Sequence, residues 1–453
     1  MTVSLADIDL SDISFWERPM AEREAAFAVL RAQPGPILFA EPEIPFAPPG
    51  PGYYALVRHA DIIEASRHPD IFSSGRGATS IQDLGPEFGE YFGSMINMDD
   101  PRHARLRRIV SRAFTPKMIK QFEADVDAAA VRIVDDLIAK GPGCDFVTEV
   151  AAKLPLKIIC DMMGIGPEHY QAVFDATSII LSGGDPEFIA DVSRAAELLL
   201  GAGQGLQDLV ISLAAEGGDN LITALTSANI DGEKLTMQEL GSFFILLVVA
   251  GNETTRNAIS HGLHLFTEHP DQRELLLQDL DGRLPGAVEE IVRLASPVAW
   301  MRRSLTRDHE MNGHLYRAGE KVLLYYWAAN RDESVFTDPY RFDIRRTEGP
   351  HVGLRRPGAA LLPGRPPRPP RDHRDVPRAV HPPARNPFRG GARPPAFQLH
   401  QRHQASRLRL LRAASGCLGR GVRARRRVSR PRLPGTASSA SAAASGRRPG
   451  TSH

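Results

Sequence analysis

Cysteine is scarce in this chain of 453 residues. The three cysteines, Cys144, Cys160 and Cys417, are odd in number and widely spaced, which excludes a disulfide framework and a CxxC-type metal site. Long hydrophobic runs are also missing, because the longest wholly apolar stretch, 243–250, has eight residues and a membrane-spanning helix needs about 20. The N-terminal stretch 1–16 has three aspartates and no apolar core, so no export signal is predicted. These absences predict a cytoplasmic protein that does not enter a membrane.

Lysine and glutamate are absent from residues 354–453, which contain 23 Arg, 15 Pro and two Asp. This segment therefore carries a charge of +21, although the whole chain carries only +1, and residues 1–353 carry −20. Such a segment cannot offset its chain entropy by burial, so we expect it to be disordered. Its charge could attract nucleic acid or an acidic partner. Its only aromatic residues, Phe388 and Phe397, provide little stacking surface for bases, so nucleic acid is not the favoured partner.

Residues 1–353 have the pattern of a mainly helical domain with a small β region near the N-terminus. A segment rich in Pro and Gly, 34–52, precedes a β-like stretch at 53–57, which predicts the sheet region. From 101 to about 280 apolar residues recur at spacings of three and four, which predicts helices.

The segment 236–269 is predicted to be one long helix through the core, because its centre is apolar on nearly all sides. The run from Gly251 to Thr255 interrupts this pattern with a glycine, an amide, a carboxylate and two hydroxyls. Burying these groups is costly unless they are paired. One reading is a kinked helix whose threonines bond back to preceding carbonyls. The five consecutive unusual residues favour the other reading, a functional groove.

A helix predicted at 285–295 places Glu290 and Arg293 three residues apart, where they can pair. Most isolated pairs of this kind are solvated surface pairs. The meaning of this pair therefore depends on the rest of the sequence.

Four features taken together resemble the cytochrome P450 family, the haem-thiolate monooxygenases. They are the segment 98–117, the segment 250–255, the pair Glu290 and Arg293, and the segment 329–343. The runs 90–117 and 242–262 look most like actinobacterial members that hydroxylate terminal methyl carbons of methyl-branched lipids and sterol side chains. The resemblance implies that Arg341 completes a charge triad with Glu290 and Arg293 and that this triad holds the proximal core together.

The resemblance also implies haem b as cofactor and an apolar small molecule as substrate. Thr254 and Glu253 would relay protons for O–O cleavage, while Ala250 and Gly251 would leave room for dioxygen and substrate. Electrons would come from a ferredoxin and a ferredoxin reductase, because no Gly-rich nucleotide-binding pattern is found in the sequence.

Three cationic or hydrogen-bonding residues match the family's haem-propionate contacts. They are His103, Arg107 and Arg303, and side chains of this kind are expected beside carboxylates. For Arg107 a solvated helix face is the alternative, since four other arginines crowd the same region, 102–112.

The chain departs from the family where the haem-ligating cysteine is expected. Residues 351–353 begin the ligand loop, but 354–364 contain no cysteine. Cys144 in a turn and Cys160 in an apolar helix do not match the ligand position, and Cys417 is far downstream. We therefore assign no metal ligand.

A shift of the reading frame would explain why the cysteine is missing. Back-translation of 354–364 with GC-rich codons, after the first base is dropped, can yield Phe-Gly-Gly-Pro-Gly-Pro-His-Phe-Cys-Leu-Gly. The cysteine codon would straddle Leu362 and Pro363. The sequence thus predicts a P450 domain at 1–353, followed by a non-native, frameshifted tail at 354–453. We expect this chain to bind haem weakly or not at all and to lack activity. The competing hypothesis is a haem-free remnant whose basic tail binds nucleic acid or an acidic partner.

Overall fold

A computed structural model describes residues 3–44, 49–141, 143–182, 194–229 and 232–352. The predicted disordered tail, 354–453, and Cys417 within it lie outside the described residues.

Most described residues belong to helices, as the sequence predicts. The helices are α1 Ile13–Glu17, α2 Met20–Arg31, α3 His59–Arg67, α4 Pro86–Gly93, α5 Arg102–Ala113, α6 Pro116–Lys140, α7 Lys153–Met163, α8 Tyr170–Ser182, α9 Ala195–Glu216, α10 Leu221–Ser227, α11 Met237–Glu268, α12 Pro270–Gln278, α13 Leu280–Ala295 and α14 Tyr326–Ala329. Short 3-10 turns at Leu5–Asp7, Ser94–Asn97 and Pro167–His169 and a π turn at Val147–Ala151 lie between them.

The sheet is small and mixed. Its strands are β1 Ile37–Phe39, β2 Tyr53–Leu56, β3 Phe72–Ser73, β4 Met301–Leu305, β5 His309–Met311, β6 His314–Tyr316 and β7 Lys321–Leu324. The first sheet has the order β1-β2-β7-β4-β3, and β5 and β6 form a separate hairpin. All four residues of β7 are buried, as expected for a central strand. The predicted N-terminal β region is therefore present, but two of its five strands come from residues 301–324.

Helix α11 runs through the core and begins and ends within one residue of the predicted segment. Thr236 caps it in a capping box, accepting from the Glu239 amide at 3.1 Å while the Glu239 carboxylate accepts from the Thr236 amide at 2.9 Å. Residues 240–245, which include Phe244 and Ile245, are buried. The helix packs against α4, α7, α9 and α13. This packing fixes the positions of the side chains on α11.

Candidate active site

The middle of α11 changes from buried to open at Ala250. Residues 240–245 are buried, whereas Ala250 is exposed and Thr254 is half-buried. The Thr254 hydroxyl donates a hydrogen bond to the Ala250 carbonyl at 2.7 Å. This is the back-bonded threonine that the sequence left as an alternative. The bond holds the hydroxyl beside the exposed Ala250, and the functional groove stays a prediction.

The Glu253 carboxylate is paired with Arg256, three residues further along α11. Both side chains are largely shielded, with 22% and 14% of their surface exposed. The Arg256 guanidinium also lies over the Phe174 ring of α8, 5.9 Å from the ring centre. Glu253 therefore has a partner other than Thr254. A proton passed between the two side chains would need Glu253 to leave Arg256 or a water to bridge them.

Gly251 packs closely against α7. A Cβ on Gly251 would lie 2.5 Å from the Cδ1 of Ile159 on α7. Its small size thus permits close packing of α11 against α7. The role given to it by the sequence, leaving room with Ala250 for dioxygen and substrate, stays a prediction.

Asn252 is an additional polar residue in this region to which sequence analysis gave no role. Its side chain is 1% exposed, and its Nδ2 donates to the Thr177 hydroxyl of α8 at 3.5 Å. With the Arg256–Phe174 contact it forms a second link from α11 to α8. The periodicity of α11 alone places Asn252 and Arg256 on one face, but the partner helix could not be predicted.

The three predicted propionate contacts lie on two elements. His103 and Arg107 are one turn apart on α5; the His103 Nδ1 lies 3.2 Å from Asp100 Oδ1, and the Arg107 side chain is exposed. Arg303 lies on β4 and is half-buried, donating to the Arg302 carbonyl at 2.6 Å. Their common role at the haem propionates stays a prediction.

Arg302, the neighbour of Arg303, is the more deeply buried arginine, with 1% exposure. It donates to the carbonyls of Ile81 and Gln82 at 3.1 and 3.0 Å and pairs with Asp83. Strand alternation places Arg302 and Arg303 on opposite faces of β4. A polar cavity of about 250 Å³ adjoins Arg302 and Asp83 but includes neither Ala250 nor Thr254 in its wall.

Glu290 and Arg293 form a buried ion pair on α13. Two parallel hydrogen bonds join them, from Nε to Oε2 at 2.7 Å and from Nη2 to Oε1 at 2.9 Å. Arg293 is 1% exposed, and its Nη1 also donates to the carbonyls of Asn330 and Pro339, each at 2.7 Å. The pair is therefore not a surface pair. It fastens α13 to the segment that follows α14.

The third member of the charge triad with Glu290 and Arg293 is Arg346, which corrects the prediction of Arg341. The Arg346 Nε lies 3.2 Å from Glu290 Oε2, and its side chain is 7% exposed. The Arg341 side chain is exposed, and only its backbone carbonyl takes part, accepting from Arg293 and Arg346 at 3.2 Å. The path of the backbone between the two arginines decides which guanidinium points inward, and motif spacing does not encode that path.

The two arginines make a matched test. We expect Arg346→Ala to lower the free energy of unfolding by about 1–3 kcal/mol, because it removes donors from a buried carboxylate. Arg341→Ala keeps its carbonyl and should change stability by no more than about 0.5 kcal/mol. Urea unfolding followed by circular dichroism measures both. Equal losses in the two variants would contradict the assignment.

Comparison with known proteins agrees with this arrangement. The family model for cytochrome P450 matches residues 211–363. A methyl-branched lipid omega-hydroxylase from Mycobacterium tuberculosis is 48% identical over 364 residues, which cover 80% of this chain and 85% of that protein.

The chain belongs to the cytochrome P450 family.

Other P450 relatives agree. A steroid C26-monooxygenase from Mycolicibacterium smegmatis is 39% identical over 315 residues, covering 68% of this chain and 72% of that protein. The solved Mycobacterium marinum cytochrome P450 CYP268A2, in complex with pseudoionone, superposes with a TM-score of 0.73 at 34% identity, covering 90% of this chain and 91% of that one. The predicted family and fold class are confirmed, and this P450 is by family a haem-dependent monooxygenase.

One helix in the described part of this P450, α9, is long and apolar enough to cross a membrane. Its mean hydropathy is 1.4, and 22% of the apolar window is buried. A single such helix is weak evidence, because helices of soluble proteins pass the same test. The sequence did not single out α9, because no wholly apolar run in it is long.

The described residues do not supply the thiolate that a P450 haem requires. A thiolate ligand needs a lowered thiol pKa, yet burial, with a smaller contribution from Asp161, raises the pKa of the Cys160 thiol to about 12. Cys160 is fully buried in α7, in the hydrophobic cluster that includes Ile159 and residues of α11. Cys144 lies in the turn after α6. The axial thiolate, which promotes O–O cleavage when it holds the iron, is therefore missing from the described chain.

The chain remains firmly held up to its last described residue. His351 Nε2 lies 2.8 Å from Glu289 Oε2, and the Val352 amide donates to Asn330 Oδ1 at 2.8 Å. Val352 is 2% exposed. The P450 core is thus formed up to the residue before Gly353.

Proposed function

We propose that this chain derives from a cytoplasmic P450 that hydroxylates an apolar methyl-branched lipid or sterol-like substrate, and that the chain itself lacks this activity. In the parent enzyme dioxygen would be the oxidant, and electrons would come from a ferredoxin and its reductase. The opening of α11 at Ala250, beside the Thr254 hydroxyl, is the observation that carries the proposal.

The substrate class is supported by the surface next to this opening. Leu246, Leu247 and Val249 are only half-buried, although residues 240–245 directly before them are buried. Partly open leucine and valine side chains beside one oriented hydroxyl suit an apolar ligand. The 48% identity to a methyl-branched lipid omega-hydroxylase and the 39% identity to a steroid C26-monooxygenase favour the same class.

The residues of α11 would control protons and water. Thr254 holds its hydroxyl proton toward the Ala250 carbonyl and keeps its oxygen free to accept another hydrogen bond. Glu253 is held by Arg256, so its carboxylate would stay in a fixed position next to Thr254. The half-buried leucines would limit access of bulk water to the hydroxyl.

Purified full-length protein tests the proposal. After reduction and addition of carbon monoxide, we expect no thiolate-type absorption band. With ferredoxin, ferredoxin reductase and NADH, it should give no hydroxylated product from a methyl-branched fatty acid or a sterol. A thiolate-type band would contradict the predicted inactivity. Binding of DNA with a steep salt dependence would support the alternative of a haem-free remnant with a basic, nucleic-acid-binding tail.

A further inference from the structure

We infer that the polar cavity beside Arg302 and Asp83 is a binding site for a phosphate group. The cavity has a volume of about 250 Å³, and neither Ala250 nor Thr254 lies in its wall. Its wall comes mainly from the segment 75–84 after β3, from the start of α4 and from β4. It is therefore separate from the lipid site proposed above, and its occupancy is independent of hydroxylation.

Two arginines from different parts of the chain contribute to the wall. Arg302 is 1% exposed, whereas Arg76 is exposed. A Cβ on Gly77 would lie 3.9 Å from Arg302 Nη1, and a Cβ on Gly319 would lie 3.9 Å from Arg76 Nη1. Both glycines line the cavity and have positive φ angles of +108° and +90°, a conformation that glycine adopts readily. The absence of side chains at these two positions leaves space next to both guanidinium groups.

Hydrogen-bond donors without a protein partner surround the cavity. Arg76 makes no hydrogen bond or ion pair with another described residue, so its guanidinium is open to a ligand. The buried Nε of Arg302 also lacks a hydrogen-bond partner in the described chain. Helix α4 begins at Pro86 after Gly85, which provides no side-chain bond to the amides of the first turn. Arginine side chains and free amides at a helix N-terminus are the donors that bind phosphate oxygens in proteins.

The carboxylates near the cavity do not cancel this preference. Asp83 accepts a hydrogen bond from Arg302 Nη2, and its Oδ2 lies 2.9 Å from Lys321 Nζ. Asp99 accepts from two backbone amides at 2.8 and 3.2 Å. Glu87, in the first turn of α4, is exposed, so water and salt screen its charge. The unpaired guanidinium of the wall is therefore left to meet an anionic ligand.

Bound phosphate would join the segment 75–89 to the sheet. Asn97 already holds this segment at two points, donating to the Gly89 carbonyl and accepting from the Ala78 amide, each at 2.7 Å. The end of the segment belongs to α4, which packs against α11. An ion that contacts both the segment and β4 stabilises the closed arrangement, so the segment should open less often when phosphate is bound.

Hydrogen–deuterium exchange of the full-length chain, followed by mass spectrometry, tests the site with inorganic phosphate as the probe. At ten times the dissociation constant, exchange of peptides from 75–89 should slow about ten-fold relative to chloride of equal ionic strength. Arg76→Gln should weaken phosphate binding about 10- to 100-fold, because it removes a charged donor. The matched control is Arg67→Gln, which replaces an exposed arginine of α3 outside the cavity wall and should leave phosphate binding unchanged.

Slower exchange in 75–89 that depends on Arg76 supports the inference. Equal slowing in Arg76→Gln overturns it and means an adventitious ion only. Phosphatidylcholine vesicles with and without phosphatidic acid distinguish a lipid headgroup from free phosphate. Slowing that depends on Arg76 and occurs with phosphatidic acid but not with inorganic phosphate assigns the site to a lipid headgroup, and slowing with neither overturns the inference. None of these outcomes requires haem or hydroxylation, so they are distinct from failure of the proposed function.

Discussion

Replacement of Arg293 by methionine is expected to lower the free energy of unfolding by about 3–5 kcal/mol, because it breaks a buried, hydrogen-bonded ion pair. Arg293 donates to Glu290 through two nitrogens and to the Asn330 and Pro339 carbonyls. Methionine fills similar volume but donates no hydrogen bond. The buried Glu290 carboxylate would keep only Arg346 and the Asp343 amide, and both carbonyls would lose a donor.

Arg307→Met is the matched control for Arg293→Met. Arg307 also pairs with a carboxylate, Asp70 at 2.7 Å, but both side chains are about 60% exposed. Exposed pairs contribute between 0 and about 1 kcal/mol. Urea unfolding of the full-length variants compares the two. If Arg293→Met cost no more than Arg307→Met, the buried pair could not be what joins α13 to the segment after α14.

Lys321→Met is also expected to lower the free energy of unfolding by about 3–5 kcal/mol, because it removes one partner of a buried ion pair. The Lys321 ammonium is 2% exposed and lies 2.7 Å from Glu41 Oε1 and 2.9 Å from Asp83 Oδ2. The Glu41 side chain is completely buried. Without the lysine, Glu41 would be an uncompensated buried charge on the sheet.

A double variant shows whether the stability lost in Lys321→Met comes from the unpaired Glu41 or from the loss of the lysine side chain itself. Replacing both partners, as Lys321→Met with Glu41→Leu, removes the uncompensated charge and should recover most of the lost stability. Thermodynamic cycles built from urea unfolding of the single and double variants give the coupling energy. Additive losses would show that the two groups do not depend on each other.

Sequence reasoning was most accurate for α11. The apolar run at the centre of this helix is a local signal, and the helix was predicted to within one residue at each end. The central strand β7 was not predicted. It has four residues, and its parallel neighbour β2, Tyr53–Leu56, lies far from it in sequence. Pairing at such distance leaves no local pattern.

The site was predictable where one helix carries both partners. Glu290 and Arg293 share a face of α13, so helical spacing was enough to pair them. Arg346 was missed because a loop delivers it, and the loop's path is set by packing. The close contact of Gly251 was not predicted, because the neighbour that demands a glycine, Ile159, comes from another helix.

The buried ion pairs described above also bear on the history of residues 3–352. Most substitutions destabilise a protein, and selection removes them only while the protein is needed. A coding sequence released from selection long ago would have lost buried pairs such as Glu290 with Arg293 and Glu41 with Lys321, since nothing would have opposed their mutation. Both pairs remain complete. The described body therefore keeps the record of selection for a folded protein.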